Sequence, residues 1–246
     1  MRTEEQVDEF KQQKGQELVV GCEKCGGSVR DDNKCSCVRH WRYQVSAYEA
    51  GIPQEFWYTK PGDITHNVEA FGQVRQYVKR IPVAQRNGYG LVFVGNNGVG
   101  KSIFASYVLS MAIRRGFTAF YTTLLQLDED IKKGFHDWRA KKRLEWFLGS
   151  DFVVLDEMGK DQWKSLASGG NGNSYIRSQV ERILKARFDD QQPTIIGTNF
   201  NKTQMAENYG ATITSMINGK YQTIQMEDGD MRAGLRKKMR AEMGYE

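Results

Sequence analysis

The chain has 246 residues, with 35 Lys+Arg against 30 Asp+Glu, a formal charge of +5. At 39% apolar it can bury the core of one sizeable domain with an appendage, or of two modest ones, which excludes a disordered protein. No apolar run approaches the roughly 20 residues that span a bilayer. The charged Met1–Glu17 stretch also lacks the apolar region of a secretory signal. The expectation is a cytoplasmic protein in a reducing compartment with no membrane partner.

In chain order, the first feature is a cluster of four cysteines, Cys22, Cys25, Cys35 and Cys37. In a reducing compartment a disulfide framework is disfavoured. Two close pairs across a short polar loop can instead set four thiolates tetrahedrally around Zn²⁺. Gly26 and Gly27 suit a tight knuckle after the first pair, and Asp31-Asp32-Asn33 suit the turn between pairs. The competing readings are a redox pair or unrelated thiols, and His40 is a possible substitute ligand. Four cysteines make a closed site, which folds a small segment and does no chemistry. The basic aromatic run Arg39-His40-Trp41-Arg42-Tyr43 either packs around this module or contacts a partner. Ala50-Gly51-Ile52-Pro53 reads as the start of a linker, and Pro53, Pro61, Gly62 and Asp63 break any helix there.

Leu91–Val94 reads as a buried strand. It is followed by Gly95-Asn96-Asn97-Gly98-Val99-Gly100-Lys101-Ser102, which matches G-x4-G-K-[ST] in full, and then by an apolar helix over 103–113. Strand, loop and helix are the context a phosphate loop needs. The glycines let backbone N–H groups turn inward around phosphate, and the helix N-terminus adds a favourable dipole. Lys101 is expected to neutralise the β/γ-phosphates of ATP, and Ser102 to ligate Mg²⁺. A strand over 117–122 and a helix over 124–135 follow.

The strand Phe152-Val153-Val154-Leu155 ends in Asp156-Glu157. Ligands bind at the carboxyl ends of strands in open α/β sheets, so Asp156 is expected to hold Mg²⁺ and Glu157 to polarise the attacking water. A further strand, 193–199, ends in Thr198-Asn199. Asn199 is placed either to contact that water and the γ-phosphate or simply to cap the next helix. These features predict an α/β P-loop NTPase core, a parallel sheet flanked by helices, with a small N-terminal zinc-binding module. The division falls at residue 60: 1–60 as the zinc- and partner-binding part, and 61–246 as the ATPase domain with a basic tail.

Over about Tyr48 to Arg232 the chain resembles AAA+ ATPases, and within them the DnaC/DnaI helicase-loader group with the IstB transposition ATPases as relatives. The residues that carry the resemblance are Ala50-Gly51-Ile52-Pro53, the run Gly90–Ser102, Leu155-Asp156-Glu157-Met158-Gly159, and Gly197-Thr198-Asn199. It implies an N-terminal region that grips a replicative hexameric helicase. It also implies a core that binds ATP and single-stranded DNA and self-associates into an oligomer. Arg232 aligns with a sensor arginine that contacts the γ-phosphate in the family. One departure stands out: in Ile213-Thr214-Ser215-Met216-Ile217, Met216 occupies the position of the family's arginine finger. That implies slow or partner-dependent hydrolysis, or a finger from elsewhere. Arg177, Arg182 and Arg187 are candidates, although a solvated helix face is the plainer reading. The loop Ser168–Ser174 is longer than the family's and carries no functional reading.

The positive charge is clustered. Residues 132–143 hold six cations and Asp137, a balance of +5; residues 232–240 hold five cations and no acid, again +5; the remainder is −5. With Trp138, Trp146, Phe135 and Phe147 in or near the first cluster, these are candidate single-stranded DNA contacts. Solvated helix faces are the competing reading. The expected function is therefore an ATP-dependent helicase loader, with an IstB-like transposition ATPase on duplex DNA, or a non-hydrolysing nucleotide-dependent adaptor, as alternatives.

Overall fold

The computed structural model describes residues 3–28, 34–134, 136–159, 172–227, 229 and 239–245. Two helices open the chain, α1 (Glu4–Leu18) and α2 (Ser36–Glu49), followed by α3 (Val68–Lys79) and α4 (Ile81–Asn87). The core then alternates: β1 (Gly90–Gly95), α5 (Lys101–Ile113), β2 (Ala119–Thr123), α6 (Leu124–Lys133), α7 (Trp138–Gly149), β3 (Phe152–Asp156), α8 (Gly172–Asp189), β4 (Thr194–Thr198), α9 (Lys202–Lys220) and β5 (Tyr221–Met226). The five strands form one sheet in the order β2-β3-β4-β1-β5, every pairing parallel.

A parallel sheet covered on both faces needs strands that are apolar throughout. The strands β1, β3 and β4 are such runs, buried nearly end to end. The period of two sorts their side chains between two cores. Leu91, Phe93, Val154 and Ile195 face a core shared with α2, α3 and α5. Val92, Val94, Val153, Leu155 and Ile196 face one shared with α6, α8 and α9. Helix α5 is apolar on every side because it lies wedged between the sheet and the N-terminal helices, with Phe104, Ala105, Val108, Leu109 and Ala112 all inaccessible.

The stretch expected to begin a linker is part of the fold. Ala50 and Ile52 are 2% exposed, and the Ala50 carbonyl accepts the Tyr121 N–H at 2.7 Å, which clasps the outer edge of β2. The basic aromatic run forms the middle of α2. There Tyr43 is buried on α5, hydrogen-bonded to Ser110 Oγ at 2.9 Å with the Arg114 guanidinium over its ring, and Trp41 Nε1 donates to the Lys11 carbonyl. These aromatics therefore pack, as the plainer reading had it, but against the sheet-bearing core as well as against α1. No helix among the described residues is long and apolar enough to cross a membrane.

Candidate functional site

The loop Gly95–Ser102 leaves β1 and enters α5 as its spacing predicts. Gly98 and Gly100 take φ of 88° and 99°, a backbone that only glycine adopts without strain, and Gly100 is the N-cap of α5. Lys101 Nζ lies over the loop and donates to the carbonyls of Gly95 and Asn96 at 2.8 and 2.7 Å. Asn96 and Asn97 are exposed, whereas Val99 is buried and anchors the loop.

Asp156 ends β3 inside the molecule, 2% exposed, and both of its oxygens are occupied. Oδ2 accepts the hydroxyls of Ser102 and Tyr121, each at 2.6 Å, and Oδ1 accepts the Glu157 N–H at 2.8 Å. Gly197 on β4 is forced by this carboxylate: a Cβ there would sit 2.0 Å from Oδ1. Burial first, and then the Asp156 charge, push the Tyr121 phenol above its ordinary range, so it remains a donor. Ser102 and Asp156 are thus brought together as a pair of hard oxygen ligands beside the phosphate loop, a donor set that fits Mg²⁺.

Glu157 follows at once but is exposed, and its φ of 57° is left-handed, a conformation that costs a non-glycine residue about 1–3 kcal/mol. This reversal turns the chain so that one carboxylate is buried and the next is not. Asn199 reaches the same corner from β4, where its side-chain oxygen lies so close to Gly159 that a Cβ on Gly159 would come within 2.3 Å. Asn199 does not cap the next helix. Asn201 does, accepting the Gln204 N–H in a reciprocal capping box. Lys101, Ser102, Asp156, Glu157 and Asn199 therefore converge at the carboxyl ends of β1, β3 and β4.

Sequence reasoning missed two residues here. Tyr121 is one. The other is Asn67, 7% exposed, whose Nδ2 donates to the Val99 carbonyl at 3.1 Å while its Oδ1 accepts the Glu227 N–H at 3.1 Å. It ties the loop to the end of β5. It is the N-cap residue of α3 but makes no side-chain cap bond there.

Near the N-terminus, Cys22 Sγ lies 3.9 Å from Cys35 Sγ and Cys25 Sγ lies 3.4 Å from Cys37 Sγ. All four sulfurs fall within 4.8 Å of one another. Tetrahedral Zn²⁺ with Zn–S of about 2.3 Å requires sulfurs about 3.8 Å apart, so the donor set fits zinc. Gly26 and Gly27 take the left-handed φ a knuckle needs. The Cys37 backbone N–H and thiol hold the Cys35 thiol down to about 7, and burial pushes Cys37 up to about 12.

The arginines divide. Arg182 is exposed, as a solvated face requires. Arg177 packs its guanidinium on Gly210, where α9 breaks from helical backbone. Arg187 contradicts the surface reading: it is fully buried. It donates to the carbonyls of Phe147, Leu148, Ser150 and Pro193, to Thr194 Oγ1 and to Gln192 Oε1. Burial lowers its pKa to about 10. Met216 is also buried, in the core under α8 and α9. Arg232, the loop residues 168–171, Phe135, residues 31–33 and the cations at 232–238 lie outside the described residues.

Residues 83–200 match the family of IstB-like ATP binding proteins. Over those residues the chain is similar to IstB-like ATP binding proteins. The ATP-binding protein of insertion sequence IS5376 from Geobacillus stearothermophilus is 24% identical over 129 residues, 52% of this chain and 47% of that protein. The chain thus spans about half the length of this curated relative. In fold, the chain is similar to the crystal structure of the DnaC helicase loader (TM-score 0.60, 22% identity, 71% of this chain and 99% of that one). It is also similar to DnaI (0.58, 17%, 73% and 94%) and to AMPPCP-bound DnaA from Aquifex aeolicus (0.52, 15%, 74% and 53%).

Proposed function

We propose that this protein is an ATP-driven helicase loader of a bacterial or phage replication system, acting in the cytoplasm. ATP and Mg²⁺ bind at Gly95–Ser102 and Asp156. Glu157 is the general base, Asn199 senses the γ-phosphate, Lys101 stabilises the transferred phosphoryl charge, and Arg232 contacts the γ-phosphate from the C-terminal side. Residues 1–60, held by Zn²⁺ on the four cysteines, engage a hexameric replicative helicase. Residues 61–246 hydrolyse ATP, self-associate and contact single-stranded DNA.

The observation that carries the loader reading is the extent of the fold likeness. It takes in nearly the whole DnaC structure, 99% of that chain, whereas the curated insertion-sequence relative is spanned over 47%. A second reading, an IstB-like transposition ATPase on duplex DNA, is favoured by the match over residues 83–200. A non-hydrolysing adaptor is favoured by the burial of Met216, which leaves the family's finger position inside a core.

Two measurements separate these. The loader binds a purified hexameric replicative helicase through residues 1–60 and prefers single-stranded DNA; duplex preference with no helicase binding overturns it. Glu157→Gln lowers ATP turnover by roughly 100-fold or more, the usual share of a general base, and spares ATP binding. Unchanged turnover removes Glu157 from its role, and negligible turnover by the unaltered protein with helicase and DNA present leaves the adaptor.

A further inference from the structure

Tyr121 joins two parts of the molecule through two different atoms. Its hydroxyl donates to Asp156 Oδ2, the oxygen that also accepts the Ser102 hydroxyl. The other oxygen takes the Glu157 N–H and is backed by Gly197, where a methyl group has no room. A carboxylate pinned on both oxygens has one orientation. A Ser102 Oγ that ligates a metal gives up its bond to Asp156. Among the described residues, Tyr121 is then the side-chain donor left on Oδ2.

The backbone of the same residue holds the N-terminal part. Its N–H donates to the Ala50 carbonyl at 2.7 Å. Gly51, at φ 75°, lies so close that a Cβ would be 3.2 Å from the Tyr121 carbonyl oxygen. Ala50 is the residue after α2, and α2 starts in the cysteine cluster, with Cys35 as its N-cap and Cys37 in its first turn. Its 14 residues make a rod of about 21 Å at 1.5 Å per residue. Tyr43 steadies the rod midway by its bonds to Ser110 and to the Trp57 carbonyl.

We infer that Tyr121 is a positioning residue for the Asp156 carboxylate, and that through α2 and Ala50 it couples the affinity for Mg²⁺–nucleotide to the metal state of the cysteine module. The inference rests on the ATP–Mg²⁺ reading given above. The test uses the full chain, titrating Mg²⁺ against binding of a fluorescent ATP analogue. Tyr121→Phe keeps the ring and removes the hydroxyl. A lost hydrogen bond to a charged group predicts that about 10-fold more Mg²⁺ is needed, with binding in EDTA unchanged. Removing zinc with a chelator shifts the curve of the unaltered protein in the same direction and leaves that of Tyr121→Phe where it was. Gly51→Ala, which perturbs the clasp without touching either metal site, shifts the curve likewise. Superimposable Mg²⁺ curves for the unaltered protein and Tyr121→Phe overturn the positioning role. Equal chelator shifts in both overturn the coupling. An unaltered protein that binds no nucleotide at all overturns the ATP reading itself and this inference with it.

Discussion

Arg187→Met removes a buried cation that ties together α7, α8 and β4. The side chain is fully inaccessible and makes six hydrogen bonds, four of them to carbonyls. Phe147 and Leu148 belong to the last turn of α7, and Ser150 is its C-cap, so the guanidinium satisfies helix-end carbonyls that have no intrahelical partner. Methionine fills a similar volume but donates nothing, leaving the Phe147 and Ser150 carbonyls without their donor, whereas the Pro193 carbonyl keeps the Val153 N–H at 3.3 Å. Each orphan costs about 1–3 kcal/mol, so the two together, partly relieved by relaxation, cost about 3–5 kcal/mol. Against a total stability of roughly 5–15 kcal/mol that is a large fraction. For a chain of this size it corresponds to a fall in Tm of roughly 6–20 °C. Urea and thermal unfolding followed by circular dichroism measure it. A change under about 0.5 kcal/mol would refute the capping argument and return Arg187 to the accessible surface, where an arginine finger belongs.

Two further outcomes follow from the same geometry. Gly197→Ala pushes a methyl group into Asp156 Oδ1 and breaks its bond to the Glu157 N–H. We expect a loss of stability of about 1–3 kcal/mol in urea unfolding, with weaker Mg²⁺-dependent nucleotide binding, and full retention of both would show that the carboxylate has room. At the cysteine cluster, Cys37 at about 12 is protonated at neutral pH and Cys35 at about 7 is half so, whereas zinc binds thiolates. Zinc uptake therefore releases at least about one proton per ion and tightens as pH rises through neutrality; calorimetry in buffers of different ionisation enthalpy detects this, and zero release rules out these ligands.

The corner where Lys101, Ser102 and Asp156 meet was legible because its signals are contiguous. A phosphate loop is one turn of backbone between a strand and a helix, and Asp156-Glu157 sit at the end of an unbroken apolar run. The cysteine spacing was legible for the same reason. Residues whose roles depend on distant partners were not. Asn67 looks like a helix cap and instead bridges Val99 to Glu227. Ala50-Gly51-Ile52-Pro53 has the composition of a linker, and only the edge of β2, some seventy residues away, makes it a clasp. Arg187 sits on a helix with Arg177 and Arg182, and nothing in their spacing marks the one whose partners lie in α7 and β4. The sole cue for Tyr121 was its position near the end of a strand, next in the sheet to the one that carries Asp156.

Charge shows most clearly why a partition along the chain differs from one in space. Counted in sequence, residues 132–143 carry +5. In the fold, Lys132 pairs with Asp128, Lys133 with Glu129, Arg143 with Asp130 and Lys142 with Glu4, all acids outside the segment. Those four acids bring the local sum from +5 to +1. Asp128 and Asp130 are each 2% exposed. A phosphate that recruited Lys132 or Arg143 would strand a buried carboxylate, at a cost that offsets much of what the phosphate contact contributes. The aromatics divide the same way: Phe147 is core and Trp146 packs against it, leaving Trp138 at 59% exposed with Arg139 over its ring. What this face retains for a single strand is therefore a stacking platform around Trp138 and Arg139, not a broad cationic field. The salt dependence of any binding there reflects one or two phosphate contacts, not the six that a count of cations suggests.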